Sequence, residues 1–210
     1  MALRDVSISL NNIGDLAMEA GDFQRARAAY QESLNLRERV LRNYPQSAEA
    51  LRDVAYNLVM LGDTAMAAGD VEGAQESYQR SLEVAQHLLR QTPTSVDALR
   101  DVVISLNKVG DAARALNDVE GALAVYQQAL DIIRRLLQQN PESLYLQHDL
   151  ALALMRTGGC ALILGNIPRG EADLREAVTI LKLLTRTAPD VALYADQLKR
   201  LEQALAELPG

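Results

Sequence analysis

Carboxylates recur in this sequence on a fixed beat. Asp15, Asp63 and Asp111 stand 48 residues apart, and so do Asp5, Asp53, Asp101 and Asp149. Rows of acidic side chains on a regular scaffold attract lysine and arginine, so the chemistry they offer is recognition of basic groups. Catalysis has little to work with. The chain has one cysteine, Cys160, and two histidines, His87 and His148. None of the three stands in the His/Cys/Asp grouping that binds a metal or activates a nucleophile. Every Gly-Asp pair belongs to a helix–helix corner or a packed helix rather than to a phosphate-binding loop. The expectation is a protein that is not an enzyme, with no metal and no cofactor.

The element that positions these residues is a repeat. LNNIGDLAMEAGDFQRARAAY begins at Leu10, LVMLGDTAMAAGDVEGAQESY at Leu58 and LNKVGDAARALNDVEGALAVY at Leu106. A worn fourth copy, LMRTGGCALILGNIPRGEADL, begins at Leu154. Gly14, Gly62, Gly110 and Gly158 keep the 48-residue period, and Pro45, Pro93, Pro141 and Pro189 keep it too. A period in this range means stacked supersecondary units that bury a core only against their neighbours. The expected organisation is one array over residues 1–210: repeats at 1–45, 46–93, 94–141 and 142–188 (degenerate), then a capping helix at 189–210.

Composition agrees. Hydrophobic residues make up 49% of the chain, mostly Leu and Ala, with one Phe and no Trp. That mixture favours helix over strand. The net charge of −7 argues against nucleic-acid binding, which needs a basic footprint. A single cysteine cannot form an internal disulfide and fits a reducing compartment. No apolar run approaches a membrane span, and the N-terminus lacks the parts of a secretory signal. The expectation is a cytoplasmic protein that engages neither membrane nor nucleic acid.

Each copy reads as two helices. The first leading helix covers about residues 2–20, with Leu3, Val6, Leu10, Ile13, Gly14 and Ala17 as its apolar stripe. Gly21 is its left-handed cap, a slot that copy three fills with Asn117. Asp22 caps the first trailing helix, which carries Phe23, Ala26, Tyr30, Leu34 and Leu41 inward as far as about Asn43. Ser47 caps the next leading helix. The same grammar gives helices over about 48–68, 71–91, 96–116, 119–139, 142–164 and 168–187. After Pro189 the repeat is abandoned for an amphipathic cap over about 190–208. At each glycine the missing side chain lets the trailing helix approach closely, which offsets the roughly 1 kcal/mol that mid-helix glycine costs against alanine.

These residues resemble the tetratricopeptide repeat, whose signature runs W-x2-L-G-x2-Y, A-x3-F and P. Copy one supplies Leu10, Ile13, Gly14, Ala17, Ala26 and Tyr30. Copy two supplies Leu58, Leu61, Gly62, Ala65, Ala74 and Tyr78, and copy three Leu106, Val109, Gly110, Ala113, Ala122 and Tyr126. The usual period is 34. The extra 14 residues give each helix about two more turns, so helices near 20 residues would be about 30 Å long. The resemblance implies an all-α solenoid, a right-handed superhelix of four antiparallel helix pairs with the leading helices lining a concave groove.

The resemblance also implies where a ligand lies. Interleaved with the packing stripe is a second one, read as facing the groove: Asn11, Asp15 and Met18 in copy one, Tyr56, Asp63 and Met66 in copy two, and Asn107, Asp111 and Arg114 in copy three. The expected partner is a protein or peptide with basic and apolar groups. Each Asp of the Asp5 row follows Arg4, Arg52, Arg100 or His148, so that row reads equally as bridges between neighbouring leading helices. The basic clamp with which some members of the family hold an acidic C-terminus is missing. Its positions are Asn11, Asp15, Met60, Ile104 and Lys108, with one cation among them. Two alternatives accompany the groove: self-assembly through the uncapped apolar edge of the first helix, and a regulatory segment of a larger signalling or defence protein.

Overall fold

The computed structural model describes residues 2–208. These residues form α1 (Ala2–Glu19), α2 (Phe23–Asn43), α3 (Ala48–Ala67), α4 (Val71–Gln91), α5 (Val96–Ala115), α6 (Val119–Gln139), α7 (Leu144–Ile163), α8 (Ile167–Thr187) and α9 (Ala192–Ala206). No strand occurs among the described residues, and the fold class is the all-α solenoid. The chain divides into two compact units, one carrying α1 to α5 and ending at Asn117, the other starting at Asp118 and carrying α6 to α9.

Local chemistry sets the helix ends. Asp22, Asp70 and Asp118 accept from the backbone N–H three residues on, and so do Ser47, Ser95, Ser143 and Asn166. Each satisfies one of the orphan donors of a first helical turn. Ser143 places the start of α7 at Leu144, two residues later than the pattern implies. The corner after α3 turns on Gly69, at φ 81°, with the Asp70 N–H donating back to the Ala65 carbonyl at 2.9 Å. Asn117 holds the same left-handed slot at φ 63°.

In the first unit α1 packs on α2, α2 on α3, α3 on α4 and α4 on α5. Ala17, Ala26, Tyr30, Leu34, Val54, Leu58 and Leu61 make one buried cluster across α1, α2 and α3. The repeated glycine has the expected cause. A Cβ on Gly14 would stand 2.5 Å from the buried Tyr30 ring, and one on Gly62 would stand 2.3 Å from Tyr78. In the second unit Leu174 takes the tyrosine's place against Gly158. There Gly170 replaces the usual alanine, and a Cβ on it would strike Leu162. The fourth copy has exchanged bulk between facing helices rather than lost its packing.

Polar groups vary between interfaces. The Ser33 hydroxyl lies 3.0 Å from the Ser7 carbonyl and 3.2 Å from Asn57 Oδ1, while Asn57 Nδ2 donates to the Tyr30 carbonyl. One repeat later Ser81 and Ser105 share a hydrogen bond. In the second unit the same positions are the buried Ala129 and Ala153.

Two expectations need correction. Val6 and Ile13, assigned to the core stripe of α1, are 48% and 41% exposed, whereas Val54, at the position of Val6, is 3% exposed. The residues of α3 are covered by α2, and no described helix covers that face of α1. Nor is the repeat abandoned after Pro189. Arg4 Nε donates to Asp53 at 3.1 Å and Arg52 Nε to Asp101 at 2.8 Å, each pair 49 residues apart. His148 Nε2 and Gln197 Oε1 meet at 2.8 Å with the same separation. The helix α9 therefore takes the register of a shortened fifth leading helix, packed on α8 with Leu201 buried.

Replacing Gly62 by Ala tests the close approach. Helix propensity favours alanine by about 1 kcal/mol, but overpacking a rigid buried ring costs about 1–3 kcal/mol. With the contact this short, urea unfolding of the Gly62→Ala protein should show a net loss of about 1–2 kcal/mol. A gain in stability would remove the proposed reason for the glycine.

Candidate functional site: a trough between leading helices

The first unit carries a trough of about 380 Å³ between α3 and α5, with Ser81 of α4 beneath it. Helical spacing explains its lining. Arg52, Ala55, Tyr56, Val59, Met60 and Asp63 fall at intervals of three and four along α3, as do Asp101, Ile104, Ser105 and Lys108 along α5. Its walls are mostly apolar, with Tyr56 and Ile104 both exposed on the rim.

Each end is closed by an ion pair. At one end Arg52 meets Asp101, a contact that raises the guanidinium pKa. At the other, Lys108 Nζ lies 2.6 Å from Asp63 Oδ1. The same carboxylate oxygen accepts the Tyr78 hydroxyl at 2.6 Å, and Asp15 accepts Tyr30 at 2.5 Å. Burial first, and the bond to the carboxylate second, push both phenols up beyond the usual tyrosine range. Both hydroxyls are therefore fixed donors. The cavity is left as a mostly apolar slot between two ends whose charges are paired.

The residues expected to face a partner have separated outcomes. Tyr56 and Asp63 come together in the trough. Asp15 lies exposed one repeat away. Asn11, expected open, is buried, at 6% exposure, and its Oδ1 has no hydrogen-bond partner. Asn107, at the same repeat position and half-buried, has an unpartnered Oδ1 as well. Met18 packs against the core cluster that holds Ala17 and Ala26 rather than standing free. Met66 and Asp111 are half-buried and Arg114 is exposed, and none of these three lines the trough. The Asp5 row divides: Asp53 and Asp101 are the bridges that the preceding arginines suggested.

Sequence reasoning underrated Lys108. It is the one cation at the clamp positions, and in the structure it pairs with Asp63. The available signal was its place 45 residues after Asp63, three short of the period and so one helical turn from the equivalent aspartate. Cys160 is buried, and His87 bonds to Gln91. No group of three potential metal ligands occurs among the described residues. No helix among them is long and apolar enough to cross a membrane.

Family models of the tetratricopeptide repeat match residues 5–68 and 59–141, together well over half of the sequence. The chain belongs to the tetratricopeptide-repeat proteins. This repeat is a scaffold that mediates protein–protein interaction. Two solved structures share the fold across 99% of the chain. The crystal structure of BtubC (BKLC) from P. vanneervenii is 16% identical, with a TM-score of 0.66 and 84% of that protein covered. The apo form of RapI is 12% identical, with a TM-score of 0.74 and 50% of that protein covered. Among curated proteins, no match was found.

Burial of the two phenols, together with their bonds to aspartate, gives a pH signature. A phenol whose pKa is raised on folding adds stability that is complete below its unfolded value near pH 10 and declines as pH rises above it. Tyr78→Phe should cost about 1 kcal/mol at neutral pH. In the Tyr30→Phe/Tyr78→Phe double variant, stability should fall less steeply than in the unaltered protein above about pH 10. Denaturant titration at several pH values measures both, and an unchanged alkaline slope would show the bonds to be immaterial.

Proposed function

We propose that this chain is an interaction module that captures a segment of a partner protein, helical or extended, with an apolar side chain of that segment in the trough between α3 and α5. The observation that carries the reading is the apolar slot held between two internal ion pairs. A slot whose charged ends are already neutralised rewards burial of apolar surface, at about 25 cal/mol per Å². It offers no site for acid–base work. Peptide recognition by grooves of this kind sets anchors into pockets along a repeating frame.

Selection from a random-peptide display library tests the reading. Enriched peptides should carry a Leu, Met or Phe anchor. Tyr56→Ser and Ile104→Asp should each weaken their binding about tenfold or more, the loss expected when a buried anchor loses its contact surface. Leu183→Ser, an exposed change in the other unit, should leave binding intact. Peptides that bind the Tyr56 and Ile104 variants undiminished would move the site out of the trough.

Self-association is a second reading, supported by the exposed Val6, Ile13 and Leu16 of α1. Sedimentation across a concentration range should then show a dimer that Ile13→Lys abolishes. A monomer at every concentration would eliminate it.

A further inference from the structure

The residues that frame the trough between α3 and α5 recur one repeat earlier on α1 and α3. The equivalence can be followed residue by residue. Arg4 and Asp53 close one end as Arg52 and Asp101 do in the later trough. At the other end Tyr30 donates to Asp15 as Tyr78 donates to Asp63. Two positions differ. The position of Lys108 is Met60, so among the described residues no cation pairs with Asp15. The position of Val59, which lines the later trough, is Asn11, whose buried Oδ1 has no partner.

Asn11 and Asp15 are four residues apart on α1, so their side chains are neighbours on one face. A buried carbonyl oxygen left unsatisfied is unfavourable unless a donor arrives. The later trough shows which donor suits the position: the Lys108 ammonium bonds to the same carboxylate oxygen that accepts the tyrosine. We propose that this face of α1 and α3 binds the primary ammonium group of a partner's lysine, seated on Asp15 beside Asn11 as Lys108 is seated on Asp63. The proposal rests on the reading of the leading-helix troughs as the partner-binding face. It adds a charged anchor to the apolar one, and it explains why Asp15 carries no internal counter-ion where Asp63 does.

Nα-acetyl-lysine methylamide and its uncharged counterpart Nα-acetyl-norleucine methylamide are the probes, with NMR of the whole protein as the readout. The lysine probe should give saturable shifts at the Asn11 side-chain amide and the Asp15 carboxyl, weakening as salt is raised. The norleucine probe should leave both unmoved. Met60→Lys places an internal ammonium at the repeat position that Lys108 holds in α5, and should weaken the lysine probe about tenfold. Asp15→Asn keeps an acceptor for Tyr30 and should do the same. Lys108→Met should create a second lysine site at Asp63. Lysine-probe shifts that are absent, or that survive both Met60→Lys and Asp15→Asn, overturn the proposal. Norleucine shifts at Val59 and Ile104 report separately on the apolar trough, so the ammonium site can fail while that reading stands.

Discussion

The contact on which the first unit depends is a tyrosine ring laid on a glycine. Tyr30 covers Gly14 and Tyr78 covers Gly62 closely enough that a single methyl group would not fit. The approach brings each phenol to the edge of its helix pair, where the aspartate next to the glycine accepts it. Packing and polarity are thus decided together. The glycine admits the ring, the ring's hydroxyl needs an acceptor, and the aspartate that supplies it becomes the end wall of a trough. The fourth copy shows the dependence from the other side. With Leu174 in place of tyrosine and Gly159 in place of aspartate, Thr157 bonds to Asp173 instead, and the glycine contact relaxes to about 3.0 Å.

This coupling changes what the aspartates mean. As a bare row they look like an acidic track for a basic partner, consistent with a net charge of −7. In the folded first unit part of that charge is spoken for. Asp53 and Asp101 hold the arginines of the preceding leading helix, and Asp63 holds both Tyr78 and Lys108. Partly exposed ion pairs of this kind add little to stability, about 0–1 kcal/mol each. Their effect is on the surface: they remove attraction for basic groups from one trough and leave apolar contact as its character. Asp15 differs from Asp63 in this, and the difference is one residue in the neighbouring helix.

The fold was legible because its determinants are local and repeated. Gly21, Asp22 and Ser47 announce helix ends by their own chemistry, and four copies in register turn weak signals into a strong one. Faces were harder. Val6 and Ile13 satisfy every periodic criterion for burial, but periodicity states only that a stripe exists, not whether a helix covers it. The register of α9 was missed because it lives in contacts such as His148 with Gln197, which preserve geometry while changing residue type. For the site, Tyr56 and Asp63 could be found by counting along one helix. The pairing of Asp63 with Lys108 joins two helices 45 residues apart, and the burial of Asn11 depends on neighbours from other elements. Neither is a property of a single helical wheel.

The interior polar groups bear on how near-identical units keep their order. Copies with interchangeable faces could pair out of sequence, since the apolar stripes of α3 and α5 are close to equivalent. The first interface carries Ser33 and Asn57, with the buried Arg37 donating to the Asp53 carbonyl and depressed in pKa by its burial. The next carries Ser81 and Ser105. Setting α5 against α2 would leave Ser33 facing Ser105 rather than Asn57, and the Tyr30 carbonyl without the side-chain amide that now reaches it. Leaving a buried polar group unpaired costs about 1–3 kcal/mol, more than a well-made hydrogen bond gains. Buried polar groups that specify one pairing among similar alternatives act mainly by penalising the wrong one. The serine–asparagine contact therefore does for order what the tyrosine–glycine contact does for distance, and the trough needs both, because its walls come from two different copies.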